Sequence, residues 1–379
     1  MKLVLVDMLD PESPIGGSEA YTSNLLNFFV KNGFDVKLIG VSDSLKATAS
    51  SEYTFISLVN KSKINSFNFQ IYLFISNLFF RLPNESIIHV QRPDFLLPFI
   101  LFQPLNPKIC TLHGRILESV RLKKSPLIAY IYQAIESWCL RRADQIIAVD
   151  ESTKNFYEKQ YPEIKDNITI IQSGIDLNKF KPINREKIRQ EYNFHPTDKI
   201  ILFVGRLEAE KNLNFLLESY KMVSAKVPDA KLVFVGEGRE HKNLINLAKD
   251  LSIKNVHFLG AQHPKIVPEI INCGDMLVLC SLYEGSPTVV KEAIACGVPV
   301  VSTDVGDVRN IIKNNAIGRI AENDKEKFAE SILDVLNIDR DRCKKECKNI
   351  SIEFGYDKIA ENIIEVYQIA RNKHITLRR

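Results

Sequence analysis

The chain has 379 residues, of which 45% are hydrophobic and 25% are charged, with a formal net charge of +4. This length is sufficient for two domains with separate cores, and the composition is that of an ordinary globular protein. The small net charge argues against a large electrostatic surface for nucleic acid, so we expect no nucleic-acid partner.

The seven cysteines are odd in number, scattered, and mostly inside apolar strand or helix patterns. This distribution indicates buried thiols in a reducing compartment and no disulfide framework. Cys343 and Cys347 lie four residues apart, so a metal pair is conceivable, but no clustered histidine or further cysteine completes a ligand set. Residues 1–7 already form a strand pattern and no signal peptide, which predicts a cytoplasmic protein.

Two apolar stretches, residues 71–80 and 95–102, stand out in the first half. Both are far shorter than the roughly 20 residues that a membrane helix needs, and core helices are the preferred interpretation. The alternative is a surface that touches lipid at the inner face of the membrane, because a basic cluster is near in sequence. That cluster consists of Arg115, Arg121, Lys123 and Lys124.

The first half alternates between strand and helix patterns. Residues 2–7 (KLVLVD) predict a buried strand, and the helix that follows has an apolar stripe at Tyr21, Leu25, Phe28 and Phe29. Further strands are predicted at residues 36–41, 53–59, 86–90, 108–112, 145–149 and 168–172. Such alternation predicts a mainly parallel sheet with both faces covered.

Glycine or polar residues follow two of these predicted strands. Gly16 and Gly17 precede the first helix, where backbone without side chains can approach a phosphate or sugar, although a plain turn has the same pattern. His113 directly follows strand 108–112. A lone histidine is more often structural, but the carboxyl end of a strand suits a ligand site.

The second half starts a new alternation with strand 199–205. Arg206 ends this strand and Lys211 precedes the next helix, so the two cations can converge on one diphosphate, although surface cations are common. Gly236 and Gly238 partly match a dinucleotide-binding fingerprint. The third glycine is missing at the required spacing, and NAD binding is therefore rejected.

Residues 276–302 (MLVLCSLYEGSPTVVKEAIACGVPVVS) predict a strand, a loop, a helix and a second strand. We expect Ser286 to cap the helix and Pro287 to occupy its first position. Glu284 then lies in the loop after a strand, and Glu292 lies about two turns into the helix. Two carboxylates at this edge of a sheet suggest recognition of a polyol, with backbone amides between them for an anion. Two solvated carboxylates are the alternative.

The segment from Glu284 to Glu292 resembles the Glu-x7-Glu signature of retaining glycosyltransferases with the GT-B fold, especially family 4. Other segments resemble the same family: GGSEA at residues 16–20, VGRL with EAEKN at residues 204–212, and the loop that contains Gly174, Ile175, Asp176, Phe180 and Pro182. The resemblance spans nearly the whole chain and is strongest over residues 200–312.

The resemblance implies roles for individual residues. Glu284 and His113 would bond hydroxyls of the transferred sugar, and Glu292 would bond the ribose of the donor. Arg206 and Lys211 would stabilise the leaving diphosphate. The implied donor-binding set is Gly16, Gly17, Gly285, Ser286, Pro287, Thr288, Val289 and Glu292.

The predicted fold class is α/β of the GT-B type, with two Rossmann-like domains whose parallel sheets face a cleft. Residues 1–178 form the acceptor-side domain, residues 179–355 the donor domain, and residues 356–379 a helix that crosses back to the first. The implied function is retaining, metal-independent transfer from a nucleotide-diphosphate sugar to a glycan or lipid-linked acceptor in surface polysaccharide assembly. No cofactor is expected. A nucleotide-sugar 2-epimerase and a non-catalytic nucleotide-sugar binding subunit are the alternatives.

Overall fold

The computed structural model describes residues 1–11, 17–43, 47–49, 52–60 and 65–376. The chain divides into two compact units. The first unit combines Met1–Gly174 with Tyr356–Arg379, and the second is Ile175–Gly355. The predicted Gly16 lies outside the described residues, whereas Gly17 is the first residue of a helix.

The first unit contains one sheet, to which the described residues contribute eight strands. In chain order they are Lys2–Val6 (β1), Asp35–Ser42 (β2), Ala47–Ala49 (β3), Thr54–Asn60 (β4), Ile87–Val90 (β5), Lys108–Leu112 (β6), Gln145–Ala148 (β7) and Ile168–Ile170 (β8). The order across the sheet is β3-β4-β2-β1-β5-β6-β7-β8. Every pair is parallel except β3 with β4. Strands β5, β6 and β7 are buried along their whole length, as expected for parallel strands covered on both faces.

Helices cover both faces of this sheet. They are Gly17–Lys31 (α1), Ser66–Phe79 (α2), Leu96–Phe102 (α3), Ile116–Lys123 (α4), Pro126–Leu140 (α5) and Glu151–Gln160 (α6). The last helix of the chain, Tyr356–Thr376, belongs to the same unit. Tyr356 donates a hydrogen bond to the carbonyl oxygen of Tyr21 at 3.2 Å, and Ile363 and Tyr367 enter the core beside Leu25. The predicted return of the C-terminal helix to the first domain is confirmed.

The second unit has a six-stranded, all-parallel sheet. Its strands are Lys199–Val204 (β9), Ala230–Val235 (β10), Val256–Phe258 (β11), Met276–Leu279 (β12), Val300–Thr303 (β13) and Gly318–Ala321 (β14), in the order β11-β10-β9-β12-β13-β14. Its helices are Arg185–Glu191 (α7), Leu213–Lys226 (α8), His241–Asp250 (α9), Val267–Cys273 (α10), Thr288–Ala295 (α11), Val308–Ile311 (α12), Lys325–Leu336 (α13) and Arg340–Ser351 (α14). Tyr356–Thr376 is therefore α15. The two predicted parallel-sheet domains are confirmed.

The core-helix interpretation of residues 71–80 and 95–102 is only half right. Phe69 and Leu73 of α2 are buried in the core, but Ile71 and Ile75 on the opposite face are exposed. An apolar run specifies that both faces of a helix are apolar, and it does not specify that both are covered. Among the described residues, no helix is long and apolar enough to cross a bilayer.

Candidate active site

Three of the predicted site residues in the second unit lie after two neighbouring strands of its sheet. Arg206 and Lys211 follow β9, and Glu284 follows β12. β9 and β12 pair in parallel at the centre of the sheet, so their carboxyl ends emerge at the same edge. The strand order therefore brings together loops that are about seventy residues apart in sequence.

Lys211 and Glu284 form an ion pair at this edge. Nζ of Lys211 lies 2.6 Å from Oε1 of Glu284, and each side chain is only 16% exposed. Ser281 donates to the same carboxylate oxygen at 2.6 Å. The backbone amide of Leu282 bonds the carbonyl oxygen of Glu210 at 2.9 Å, which ties the two loops together. Because both side chains are largely shielded from water, their attraction is stronger than that of a surface pair, and the two charges are held in fixed positions.

Arg206 has a different environment from Lys211. Its guanidinium contacts Oε1 of Glu210 at 3.4 Å, and its side chain is 71% exposed. A long contact at such exposure contributes little to stability. The guanidinium can therefore turn to a ligand anion at small cost, with a bidentate geometry that suits phosphate.

The backbone that presents Arg206 is packed against a glycine loop. Gly236 has a φ of +139°, and a Cβ atom there would lie 1.9 Å from the carbonyl oxygen of Gly205. Leu207 also donates its amide to the carbonyl oxygen of Glu237 at 2.9 Å. Gly236, which belongs to the partial match with a dinucleotide fingerprint, thus has a packing role. Only glycine permits the backbone of this loop to lie so close to Gly205.

The loop of Gly285 and Ser286 rests on a buried ionic cluster. Lys291 is fully buried, and its Nζ lies 2.9 Å from Oδ2 of Asp307 and 2.7 Å from Oγ of Ser286. Ser286 donates its hydroxyl to the same Asp307 oxygen at 2.7 Å. A Cβ atom at Gly306, whose φ is +56°, would lie 1.9 Å from the carbonyl oxygen of Gly285. The turn around Gly306 therefore fixes the backbone beside Glu284.

The structure corrects the two predictions made for Ser286 and Pro287, and the cluster adds two residues. Ser286 does not cap the helix; α11 starts at Thr288, with Pro287 as the residue before its first turn and no side-chain cap. The hydroxyl of Ser286 donates to Asp307 instead. A hydrogen bond to a carboxylate is stronger than the bond that a neutral hydroxyl makes with a backbone amide at a helix end. Lys291 and Asp307 were missed, although a lysine between Val290 and Ala293 on a buried helix face was a visible signal.

Glu292 lies on α11, within the segment that bears Thr288 and Val289. The residue as a whole is partly exposed, but burial of its carboxyl group raises the pKa to about 7. The charge of Lys179 and a hydrogen bond with Thr288 oppose this shift without cancelling it. At neutral pH the carboxyl group is therefore close to half-protonated, and a hydroxyl donor beside it would favour the ionised form.

In the first unit, His113 directly follows β6, as predicted. Its Nε2 lies 2.8 Å from Oε1 of Gln91, and its ring packs edge-on against Tyr21 at 4.9 Å between centroids. Burial lowers the pKa of His113 to about 4, so the ring is neutral at physiological pH. With Gln91 as acceptor for the Nε2 proton, Nδ1 is left as an acceptor.

Gln91 was not identified from the sequence, although it directly follows the buried strand β5. The side chain is 1% exposed, and its Nε2 has no hydrogen-bond partner among the described residues. Below this layer, buried His89 bonds the hydroxyls of Tyr367 and Thr111, each at 2.7 Å, and burial lowers its pKa to about 3. His113 and Gln91 thus place a neutral imidazole beside an amide at the ends of two neighbouring strands, β6 and β5.

Two sequence features with metal-binding potential have structural roles. Asp339, Arg340 and Asp341 form the one Asp-x-Asp triplet of the sequence. Asp339 accepts the amide hydrogen of Arg342 at 2.8 Å as the cap of α14, and Arg340 bonds Asp275 at 2.8 Å. The sulfur atoms of Cys343 and Cys347 lie 3.7 Å apart in the core, and all seven cysteines are free and buried.

Comparisons with known proteins identify the family. A model described as Glycosyltransferase Family 4 matches residues 15–179, and one described as Glycosyl transferases group 1 matches residues 184–351. An Escherichia coli UDP-Gal:alpha-D-GlcNAc-diphosphoundecaprenol alpha-1,3-galactosyltransferase is 28% identical over 269 residues, which cover 68% of each chain.

Solved structures have the same fold. Sucrose-phosphate synthase from Thermosynechococcus elongatus superposes with a TM-score of 0.78 at 18% identity, over 97% of this chain and 98% of that one. HepE from Anabaena, in complex with UDP and glucose, superposes with a TM-score of 0.72 at 17% identity, over 97% of this chain and 99% of that one. With two parallel-sheet units and both family models matched in order, the chain belongs to the family 4 type of glycosyltransferases, which have the GT-B fold.

Proposed function

We propose that this glycosyltransferase moves a sugar from a nucleotide-diphosphate sugar to a hydroxyl of a glycan or lipid-linked acceptor, with retention of anomeric configuration and without a metal ion. The observation that carries the proposal is the contact between Lys211 and Glu284, with exposed Arg206 on the same loop as Lys211. The name of the Escherichia coli relative includes a UDP-linked sugar and a diphosphoundecaprenol-linked acceptor, which favours the same substrate classes here.

Departure of the nucleotide places negative charge on the leaving diphosphate. Lys211 and Arg206 supply positive charge at the strand edge where that group would lie. The free amides at the start of α11, around Thr288 and Val289, add partial positive charge. Groups held in place before the reaction stabilise developing charge most effectively, and a fixed Lys211 meets that condition. A metal ion is then not required for charge neutralisation.

Retention is assigned to attack on the face from which the diphosphate departs. The bond from the anomeric carbon to the phosphate oxygen breaks, the bond to the acceptor oxygen forms, and the acceptor proton passes to the departing phosphate oxygen. Glu284 is bonded to both Lys211 and Ser281, which suits a carboxylate that orients sugar hydroxyls and not a covalent nucleophile. Neutral His113 would bond a further hydroxyl, and Glu292 would bond the ribose.

The experiment has two stages. Thermal shift with UDP, GDP, ADP and their sugars identifies the donor. Transfer to a hydroxyl acceptor is then followed by NMR, where the coupling constant of the anomeric proton reports configuration. We expect the donor's configuration in the product and full activity in EDTA. An inverted product would refute the retaining mechanism, and activity lost in EDTA and restored by a divalent cation would refute metal independence.

The alternatives predict other outcomes for the same sample. A nucleotide-sugar 2-epimerase would isomerise the donor without acceptor, whereas a transferase would at most hydrolyse it slowly. A non-catalytic subunit would bind donor without turnover. The Lys211 and Glu284 contact beside exposed Arg206 favours catalysis over both, because charge is provided where a diphosphate would depart.

A further inference from the structure

The outward face of α2 is apolar where a surface helix is ordinarily polar. The exposed side chains recur at the spacing of one helical stripe, and the most exposed of them, Phe79, is 87% accessible. The inward stripe, with Phe69 and Leu73, is buried in the core, so the exposed residues are additional to those that the fold requires. The exposed set is Phe67, Ile71, Tyr72, Ile75, Leu78 and Phe79.

A second helix of the same unit extends this surface. α5 exposes Leu127, Ile128, Tyr130 and Ile131 in its first two turns. Helix α3, which exposes Leu101, contacts both α2 and α5. The exposed apolar residues of α2, α3 and α5 are together called the apolar face. Monomeric proteins rarely expose a contiguous apolar surface of this kind without a partner.

The apolar face has no exposed charged residue of its own, and cations lie beside it. Helices α2 and α3 have no charged residue, and the single one on α5, Glu136, is buried. Exposed cations lie beside these helices: Arg121 donates to Oε1 of Gln133 on α5 at 3.0 Å, and Lys124 precedes the α5 cap, Ser125. The guanidinium of Arg81 bonds the carbonyl oxygen of Phe102 at the end of α3.

Two acidic residues lie near these cations in sequence: Glu118 on α4, which pairs with Arg115 at 3.6 Å, and exposed Glu85, four residues after Arg81. The three cations Arg81, Arg121 and Lys124 are thus not balanced by acidic side chains on the helices of the apolar face. An apolar surface with cations at its edge matches an anionic bilayer, in which acyl chains lie beneath negatively charged headgroups.

We propose that the apolar face docks on an anionic phospholipid bilayer. The side chains of α2 and α5 enter the boundary between headgroups and acyl chains, and Arg81, Arg121 and Lys124 contact lipid phosphates. The contact is interfacial, since an amphipathic helix at such a boundary lies in the plane of the membrane. This inference goes beyond the proposed function, because it does not depend on the donor or on transfer.

The test uses the full chain and sedimentation with sucrose-loaded vesicles. We expect binding to vesicles of phosphatidylglycerol and phosphatidylcholine, and much weaker binding to phosphatidylcholine alone. The triple variant Ile71→Ser, Ile75→Ser and Leu78→Ser should reduce the partition coefficient at least about tenfold, since large apolar side chains leave the bilayer. Arg121→Gln should reduce it roughly fivefold, because one surface cation is lost. Ile369→Ser, which changes an exposed residue of α15, is the matched control and should bind like the wild type.

Two further measurements keep the outcomes distinct. The thermal shift with donor should be unchanged in the triple variant, and its unfolding temperature should fall only slightly, because each of the three side chains is at least 41% exposed. Equal vesicle binding by wild type and triple variant, or no binding by either, would overturn the proposal. So would concentration-dependent self-association of the wild type that the triple variant abolishes, since a second copy would then cover the apolar face. Failure to bind donor would count against the proposed function alone.

Discussion

The residues predicted to bind the substrates differ in electrical character between the two units: a neutral pair in the first and ion pairs in the second. At the strand ends of the first unit, His113 and Gln91 share a hydrogen bond, and burial keeps the imidazole neutral. At those of the second unit, Lys211 with Glu284 and Lys291 with Asp307 are in ionic contact. Burial without a counter-ion neutralises a group, whereas an opposite charge within about 3 Å keeps it ionised. The pair of His113 and Gln91 therefore suits neutral hydroxyls, and the cations beside Glu284 suit a diphosphate.

The largest effect is expected where the ionic contact is most buried. Lys291→Met leaves Asp307 inside the protein without its cation, and we expect a loss of about 3–5 kcal/mol in the free energy of unfolding of the second unit. Denaturant titration with a fluorescent probe in that unit measures it. The double variant Lys291→Met and Asp307→Leu should recover much of the loss, because no unpaired charge remains.

Lys325 provides the matched control for this prediction. It pairs with Glu218 on the surface, where Lys325 is 50% exposed. Lys325→Met should therefore cost less than about 1 kcal/mol. Equal losses for Lys291→Met and Lys325→Met would show that the buried cluster has no special role in fixing the loop of Glu284.

The second prediction concerns rate. Lys211→Ala removes the fixed cation at the strand edge and should lower kcat by roughly 100- to 1000-fold if Lys211 stabilises the leaving diphosphate. Arg206→Ala should lower it less, by roughly 10-fold or more, because this side chain is largely exposed to solvent. Lys221→Ala, on the exposed side of α8, is the control. An unchanged kcat in both variants would remove these residues from the site.

Much of the fold could be predicted because buried parallel strands have a simple pattern. Apolar runs such as KIILFV at β9 and MLVL at β12 specify strands covered on both faces, and the helical stripes between them specify crossovers. The proximity of Lys211 to Glu284 follows from the same rule, since both lie just after neighbouring parallel strands. Roles for these residues, in contrast, rest on family resemblance.

What could not be predicted depends on contacts distant in sequence. Ser286 has the pattern of a helix cap, but its hydroxyl bonds Asp307, twenty-one residues later. The exposed side of α2 was predicted only as the alternative to a core helix, because an apolar sequence does not reveal which face another element covers. For Ser286 a tertiary contact overrides the local preference for a helix cap. For α2 the local sequence contains no information about which face is covered.

The third prediction concerns Glu292. Binding of a ribose hydroxyl favours the ionised carboxyl group, so affinity for a nucleotide sugar should rise about tenfold from pH 6 to pH 8 around a pKa of about 7. Isothermal titration in buffers of different ionisation enthalpy should detect proton release. A nucleotide sugar is the suitable ligand, because its diphosphate has no proton to lose near neutral pH. Glu292→Gln should abolish both effects.

Ionisation of Glu292 is expected to raise the affinity for the donor but to lower the stability of the fold. The pKa of this carboxyl group is higher in the folded state than the ordinary value of 4.5, so the folded protein binds the proton more strongly. The free energy of unfolding should therefore fall by up to roughly 3 kcal/mol as the pH rises from 4.5 through 7. In Glu292→Gln this component disappears. Affinity that does not vary with pH would place the ribose away from Glu292.

The smallest effect is expected at His113, where the interaction is a single neutral hydrogen bond. His113→Asn should lower kcat/KM by roughly 2- to 10-fold. Because the pKa of His113 is about 4, its titration should not contribute to the activity profile between pH 5 and 8. Gln91→Met, which removes the partner of Nε2 and frees the ring to turn, should lower kcat/KM without adding an ionisation to that range. An ionisation near pH 6.5 that His113→Asn removes would show instead that the imidazole exchanges a proton during the reaction, and the neutral character assigned to His113 would then be wrong.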